Sequence, residues 1–168
     1  GVNSAYAPLG GVLVSKEIGE YYAQNSFTAG LTYNTHPLGV AAALACIKEY
    51  KRLNVKEHVL ELEPYLKQKL AELKAKHQSV GDVLSIGLFG AIEFSYSKDH
   101  KDVIRKNKNG EAFLGNLIPD LRNKYGLLTM GGGSTILVAP PLIITKEQID
   151  EIFVRLDKAI SEFADDLV

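Results

Sequence analysis

Histidine and cysteine are side chains that often bind metals or act as nucleophiles, and the sequence has four histidines and one cysteine. His36 stands before a proline where a helix is expected to begin, a position more typical of a local cap than of a metal ligand. The other histidines lie in charged helical or loop contexts and form no cluster: His58, His77 and His100. The spacing therefore predicts no metal site.

Two further groups could bind an anion. Consecutive amides in the glycine run at 131–133 could hold a phosphate, but the run lies between two predicted strands and not at a helix start, so a turn is favoured. Thr32 lies in a polar loop, and its hydroxyl is a potential hydrogen-bond donor. From the residues alone, the general preference of threonine for loops favours a structural role for it.

Composition is that of an ordinary globular protein, with 46% hydrophobic and 23% charged residues. The net charge is −1 and no basic stripe stands out, so we expect neither nucleic acid nor a membrane as a partner. The single Cys46 excludes an internal disulfide and is typical of a reducing compartment, from which we expect a cytoplasmic location. Because the sequence opens at Gly1 without a methionine, we expect it to begin inside a longer protein.

Residues 1–54 predict elements with few partners among themselves. The run Val12-Leu13-Val14 predicts a short buried strand, and Lys16–Gln24 predicts a helix. A second helix is predicted from Pro37 to Leu53, because proline is well tolerated in a first helical turn. Its alanine-rich run at 41–45 indicates close packing on several sides, so we expect this segment to belong to a different domain from the remainder.

Residues 55–168 predict one α+β domain. A helix over Val55–His77 carries a stripe of leucines, which Pro64 should kink or divide. Val80–Ser97 predicts a strand with a bend or bulge, and the charged stretch at 98–109 predicts an exposed excursion. The remaining predictions are a helix at Glu111–Tyr125 ended by Gly126, strands at Leu127–Met130 and Thr135–Ala139, and a last helix with a capping box of Thr145 and Gln148. This order predicts a small, mainly antiparallel sheet with helices on one side.

Three segments stand out by their residues: GVNSAYAPLGG at 1–11, GLTYNTHPL at 30–38 and APPLIIT at 139–145. In this order, with the strand-like GLFGAIE at 87–93 between the second and the third, they resemble class III aminotransferases of fold type I. That family includes ornithine, 4-aminobutyrate, β-alanine–pyruvate and taurine–pyruvate transaminases. The resemblance covers essentially the whole chain and is closest to the taurine– or β-alanine–pyruvate and 4-aminobutyrate branch.

The resemblance implies the C-terminal portion of a pyridoxal-phosphate-dependent enzyme, which moves an amino group from an amine or ω-amino acid donor to a keto acid such as pyruvate. Residues 1–54 would then be a remnant of the large α/β cofactor-binding domain with its interface helix, and residues 55–168 the C-terminal small domain. The lysine that holds the cofactor would precede Gly1. We therefore expect no catalytic residue in this chain and no activity from the chain alone.

The same resemblance implies that Thr32 binds the cofactor. In the family, the threonine of this motif donates its hydroxyl to the phosphate of pyridoxal phosphate, usually in the site of the other subunit of a homodimer. Backbone amides near Leu31 and Tyr33 are expected to help. Contact with the second subunit is expected through residues 1–54.

Leu137 departs from the family pattern. Several members carry an arginine three residues before the Pro-Pro pair, where its planar fork grips a substrate carboxylate. Leucine at this position argues against carboxylate recognition through that residue and leaves the donor open. Two alternatives to a transaminase also stay open: a non-catalytic binding or scaffolding module derived from an aminotransferase, and a small ligand-binding domain unrelated to the cofactor.

Overall fold

The computed structural model describes residues 2–97, 102–107 and 109–164. The chain forms two units, Gly1–Val55 and Lys56–Val168. In chain order its elements are α1 (Lys16–Gln24), α2 (Pro37–Arg52), α3 (Val55–Lys76), β1 (Val80–Ile86), β2 (Phe89–Phe94), α4 (Phe113–Asn123), β3 (Gly131–Gly132), β4 (Thr135–Val138) and α5 (Lys146–Ala164). Within the described ranges, none of the helices has the length and apolar character needed to span a bilayer.

The second unit is built on an antiparallel sheet with the strand order β1-β2-β4-β3. One face of this sheet is buried, with Ile92, Phe94, Ile136 and Val138 in the core. The buried faces of α3, α4 and α5 complete the same core. The predicted α+β class, with a small antiparallel sheet and helices, is confirmed.

Helical periodicity predicted the helix faces of this unit well. The stripe of α3 is buried as expected at Leu62, Leu66, Leu70 and Leu73, and α5 buries Ile149, Phe153, Leu156 and Ile160, while Ile152 is half-buried. The predicted capping box opens α5. The Thr145 amide donates to Gln148 Oε1 at 3.1 Å, and the Gln148 amide donates to Thr145 Oγ1 at 3.3 Å.

A polar contact joins α3 to α5. Asp150 Oδ1 on α5 accepts hydrogen bonds from the Tyr65 hydroxyl and from Lys69 Nζ, each at 2.6 Å. The Lys69 ammonium and, after it, the Tyr65 hydroxyl hold the pKa of the Asp150 carboxyl below its ordinary value. The carboxylate is partly exposed, so this contact orients the two helices more than it stabilises them.

The stretch Val80–Ser97 forms a hairpin and not the single bent strand that was predicted. Gly87 has a φ of 55° and opens a two-residue loop that brings Ile86 opposite Phe89. A Cβ at Gly87 would also lie 3.0 Å from Val59 Cγ1, so glycine is favoured there on two grounds. A bulge is present, but it lies between Val80 and Asp82, away from the glycines that suggested it.

Two predicted strands are absent from the described residues. Val12, Leu13 and Val14 are exposed and irregular, because the described part of the first unit contains helices and no strand that could pair with them. Residues 127–130 are also irregular. There the Thr129 hydroxyl, and not a backbone amide, donates to Leu137 O at 2.6 Å, and regular pairing begins only at Gly131.

Two smaller expectations also need correction. Pro64 does not divide α3, which is continuous over its 22 residues. The leucines before and after Pro64 are buried in the core, and their packing keeps the helix intact. Residues 98–101 and 108 of the predicted excursion lie outside the described residues. Between them, Asp102, Arg105 and Lys106 are exposed, yet Ile104 is fully buried in the core.

The division between the units falls after Val55, one residue later than the predicted boundary. Val55 is the first residue of α3, so the boundary in the chain falls at the start of a helix. The assignment of the first unit to a larger cofactor-binding domain, and of the second to a small domain, stays a prediction.

We expect Leu66→Ala to lower the free energy of unfolding by about 2–5 kcal/mol, because Leu66 is 1% exposed and its truncation leaves a cavity. Leu60→Ala is the matched control, since Leu60 lies on the same helix and is 55% exposed. Urea unfolding of the 168-residue chain measures both variants. Equal losses for the two leucines would contradict the assignment of the core.

Candidate functional site

The loop before α2 consists of two successive β-turns. In the first, the Asn34 amide donates to Leu31 O at 3.0 Å, and in the second the His36 amide donates to Tyr33 O at 3.3 Å. Thr35 adopts a φ of 54° in the second turn, a left-handed conformation unusual for a β-branched residue. Its hydroxyl donates to Asn34 O at 2.7 Å, which holds the strained residue in place.

Thr32 occupies the first of these turns and is exposed, with Leu31 and Tyr33 each 78% exposed beside it. Among the described residues, the Thr32 hydroxyl and the amides of Leu31, Thr32 and Tyr33 have no hydrogen-bond partner. The structure therefore places the three predicted cofactor-binding residues together, with their donors unused by the protein. Their binding of a cofactor stays a prediction.

Charge in this part of the chain suits an anion. The sequence has no aspartate or glutamate between Glu20 and Glu49, so no nearby acid in the sequence repels a phosphate. The positive end of the α2 dipole also lies directly after the loop, since α2 begins at Pro37. Hydroxyl and amide donors together with a helix N-terminus form a suitable donor set for a phosphate group.

His36 acts as the local cap that its position predicted. Its unprotonated Nδ1 accepts a hydrogen bond from the Leu38 amide at 3.3 Å, and Pro37 occupies the first helical position. No group of three or more potential ligands for a metal occurs in the described part of the chain.

The opening segment contains a contact that sequence reasoning missed. The hydroxyls of Ser4 and Tyr50 lie 2.5 Å apart, which joins this segment to α2 across 46 residues of sequence. Ser4 and Ala5 have φ values of 52° and 63°, and the Asn3 side chain stabilises this turn by donating to Ala7 O at 2.7 Å. Two consecutive left-handed residues store strain, which often accompanies functional sites. No local sequence signal could have indicated the Tyr50 partner.

The described lysines lack the environment of a Schiff-base lysine. All of them are exposed or half-buried. The pKa of Lys69 is raised, first by its hydrogen bond to Asp150, and the pKa of Lys124 is raised, first by its hydrogen bond to Glu162. A lysine that attacks a carbonyl needs a lowered pKa, so these two pKa shifts have the wrong direction for that chemistry.

Leu137, the residue at the expected arginine position, is half-buried on β4. It lines an open cleft of about 530 Å³ in the second unit, together with Leu128, Met130, Pro140 and Pro141. The cleft is mainly apolar and contains no charged side chain among its lining residues. It can therefore accommodate a hydrocarbon group, but its lining offers no charged partner for a carboxylate.

The sequence is similar to a known family over most of its length. The family model for class-III aminotransferases matches residues 4–160. A gamma aminobutyrate transaminase 1, mitochondrial, from Solanum lycopersicum is 34% identical over 96% of this chain and 31% of its own length. A putrescine–pyruvate aminotransferase from Pseudomonas aeruginosa is 33% identical over 98% of this chain and 35% of its own length. The chain thus spans about a third of the length of these curated relatives.

Solved structures agree with the sequence comparison. A taurine:2-oxoglutarate aminotransferase from Bifidobacterium kashiwanohense, in complex with PLP and glutamate, superposes with a TM-score of 0.91 and 35% identity. The match covers 100% of this chain and 37% of that one. An (S)-enantioselective ω-transaminase from Thermomicrobium roseum superposes with a TM-score of 0.83 and 30% identity, over 97% of this chain and 36% of its own.

We expect His36→Ala to accelerate amide hydrogen exchange at Leu38 and in the first turn of α2. Loss of a cap costs about 1 kcal/mol, which corresponds to about fivefold faster exchange. His36→Asn should behave like the wild type, because asparagine is a good capping residue. Exchange read by NMR at neutral pH tests this prediction, and unchanged rates in His36→Ala would show that the 3.3 Å contact is not a cap.

Proposed function

Because this chain belongs to the class III aminotransferases, we propose that it forms the C-terminal part of a pyridoxal-phosphate-dependent transaminase. The whole protein moves an amino group from an amine or ω-amino acid to a keto acid such as pyruvate. Relatives named for γ-aminobutyrate and for putrescine and pyruvate support this donor and acceptor class. We further propose that the enzyme is a homodimer, assembled through residues 1–54, in the cytoplasm.

The observation that carries this proposal is the unused donor set around Thr32. The loop exposes one hydroxyl and three amides that bond to no described protein group, in the segment whose residues match the family motif. Neutral donors of this kind bind phosphate well, since a hydrogen bond to a charged acceptor is about twice as strong as one between neutral groups. The residues present therefore fit the phosphate group of the cofactor.

Each residue of the loop has a defined task in this proposal. The Thr32 hydroxyl donates to a phosphate oxygen, and the amides of Leu31 and Tyr33 donate to neighbouring oxygens. The strained turn at Thr35 and the His36 cap keep these donors fixed at the start of α2. When bound, pyridoxal phosphate withdraws electrons from the substrate carbon and carries the amino group between donor and acceptor.

Leu137 restricts how the donor is recognised. An apolar side chain in an apolar cleft gives no compensation for a buried carboxylate, whose desolvation is costly without a partner. We therefore propose a donor whose carboxylate, where it has one, is not read at this position. An aliphatic amine such as the substrate class of the putrescine relative meets this requirement.

The alternative function is a non-catalytic binding module derived from an aminotransferase. No lysine is buried among the described residues, and this observation favours the alternative, because exposed or half-buried lysines are poorly suited to hold the cofactor covalently. The two functions differ in what the whole protein does, and the experiments below separate them.

In the whole protein, we expect Thr32→Ala to weaken pyridoxal phosphate binding by about ten- to a hundredfold. This corresponds to the loss of one charge-assisted hydrogen bond, about 1.5–3 kcal/mol. Cofactor affinity is measured by absorbance or fluorescence titration of the apoenzyme, and turnover should partly recover with excess cofactor.

Two variants serve as controls for that experiment. Thr32→Ser keeps the hydroxyl and should keep most of the affinity. Thr28→Ala removes an exposed threonine hydroxyl four residues earlier in the chain and should change nothing. If Thr32→Ala binds the cofactor as tightly as Thr28→Ala, the assignment of Thr32 is wrong.

For the 168-residue chain alone, we expect no stable adduct with pyridoxal phosphate. After incubation, borohydride reduction and dialysis, mass spectrometry should find only scattered substoichiometric pyridoxyl groups, because a lysine side chain in contact with water is protonated at neutral pH and reacts poorly. The chain should also transfer no amino group to pyruvate. One stoichiometric adduct at a single lysine would place the covalent chemistry in this chain and overturn the proposal.

A further inference from the structure

The opening segment of the first unit, residues 2–9, is held against α2 at two points. Near the end of α2, the hydroxyls of Ser4 and Tyr50 lie 2.5 Å apart. Near its start, Leu9 packs against the helix, since a Cβ added at Gly39 would lie 3.5 Å from Leu9 Cδ1. Because Ser4 contacts the end of the helix and Leu9 its start, the segment runs antiparallel to α2.

The face of α2 that receives this segment is small except at one position. Gly39 and Ala43 are buried, and Cys46 and Tyr50 are half-buried. These residues follow one another at spacings of three and four, so they share one side of the helix. Small residues leave room for the backbone of the segment, and Tyr50 adds a hydroxyl that can bond to it.

The part of the segment that Tyr50 holds is a strained turn. Ser4 and Ala5 have φ values of 52° and 63°, and such left-handed residues persist only where surrounding contacts hold them. Within the turn, the Asn3 side chain is 3% exposed and donates to Ala7 O at 2.7 Å. The bond from Ser4 to Tyr50 then ties the strained position itself to α2.

In the proposed function, this turn lies close in sequence to the covalent chemistry. The resemblance to class III aminotransferases predicts that the cofactor-binding lysine directly precedes Gly1, so Ser4 follows it at no more than about 14 Å of extended chain. A shift of the backbone at Ser4 is therefore transmitted to the lysine. Misplacement of a reacting group by about 1 Å can lower a rate by about a hundredfold.

We propose that Tyr50 is a positioning residue of the whole enzyme. Through its hydrogen bond to Ser4 it fixes the left-handed turn, and with it the backbone that leads to the cofactor-binding lysine. This inference rests on the proposed function. It assigns Tyr50 no contact with substrate or cofactor. Because α2 also begins directly after the loop that carries Thr32, one helix supports both the phosphate donors and this turn.

Two substitutions in the whole protein remove this hydrogen bond from opposite ends. Tyr50→Phe removes one hydroxyl and keeps the aromatic ring. Ser4→Ala removes the other hydroxyl and keeps the Cβ, and alanine is compatible with this conformation because Ala5 already adopts it. Together with the double variant they form a cycle in which a shared bond gives non-additive effects.

The first measurement is the absorbance of the bound cofactor as a function of pH. The nitrogen of a cofactor-bound lysine titrates, and the midpoint depends on how that lysine is held. We expect both single variants to shift the midpoint in the same direction by about 0.4–1 pH unit, as the net value of one hydrogen bond predicts. The double variant should shift it no further than Tyr50→Phe alone.

Hydrogen exchange of the whole protein is the second measurement. The peptide that contains residues 2–9 should exchange about three- to tenfold faster in each variant, because the turn opens more often. Tyr65→Phe is the matched control, since it removes a tyrosine hydroxyl of α3 that donates to Asp150 Oδ1 at 2.6 Å. It should leave both the midpoint and this exchange unchanged.

Variants that lose thermal stability but keep the midpoint of the unsubstituted protein would overturn the positioning role, because they would show a structural contact only. Additive shifts in the double variant would also overturn it, by showing that the two hydroxyls act independently. Either result with a cofactor-loaded enzyme leaves the proposed function intact. If borohydride reduction finds no cofactor on a lysine of the unsubstituted whole protein, the proposed function itself is wrong.

Discussion

The register of β2 between its two neighbours decides which side chains of the sheet enter the core. Ile92 lies opposite Ile136 and inside, while Ala91 and Glu93 on either side of it point outward. A slip of one residue would turn the Glu93 carboxylate into the core, where an unpaired charge is very costly. The tight turn at Gly87 fixes this register on one side, because its two-residue loop allows only one pairing of Ile86 with Phe89. The helices α3, α4 and α5 then cover the face that this pairing selects.

Sequence patterns over three or four residues predicted those helices. They could not predict the strands correctly, because strand pairing depends on residues far apart in the sequence. The stripe from Leu62 to Leu73 and the capping box at Thr145 are visible in the sequence, because their partners lie three or four residues away. The hairpin at Gly87 was missed because a glycine in a strand pattern can indicate either a bulge or a turn, and only pairing distinguishes the two. Val12-Leu13-Val14 was predicted as a strand from apolar residues alone, which cannot show whether a partner strand is present.

For the loop before α2 as well, the sequence predicted some features and only the structure revealed others. Thr28, Thr32 and Thr35 are all threonines of the same polar segment, so residue type does not distinguish them. Only the resemblance to a family motif indicated Thr32. The structure adds a physical distinction, since the Thr35 hydroxyl is used by Asn34 O whereas the Thr32 hydroxyl has no described protein partner. Sequence reasoning did not find the bond between Ser4 and Tyr50, whose 46-residue separation leaves no local pattern.

The chemistry of these donors limits what this chain can contribute to catalysis. Hydroxyl and amide groups hold a phosphate reversibly, but they cannot form the covalent bond that a lysine forms with the cofactor. The described lysines with a shifted pKa are stabilised in their charged form by Asp150 and Glu162, so they are poor nucleophiles at neutral pH. In the proposed function, phosphate binding by the loop around Thr32 is thus what these residues contribute. In the proposed function, the covalent step therefore comes from a part of the enzyme outside these residues.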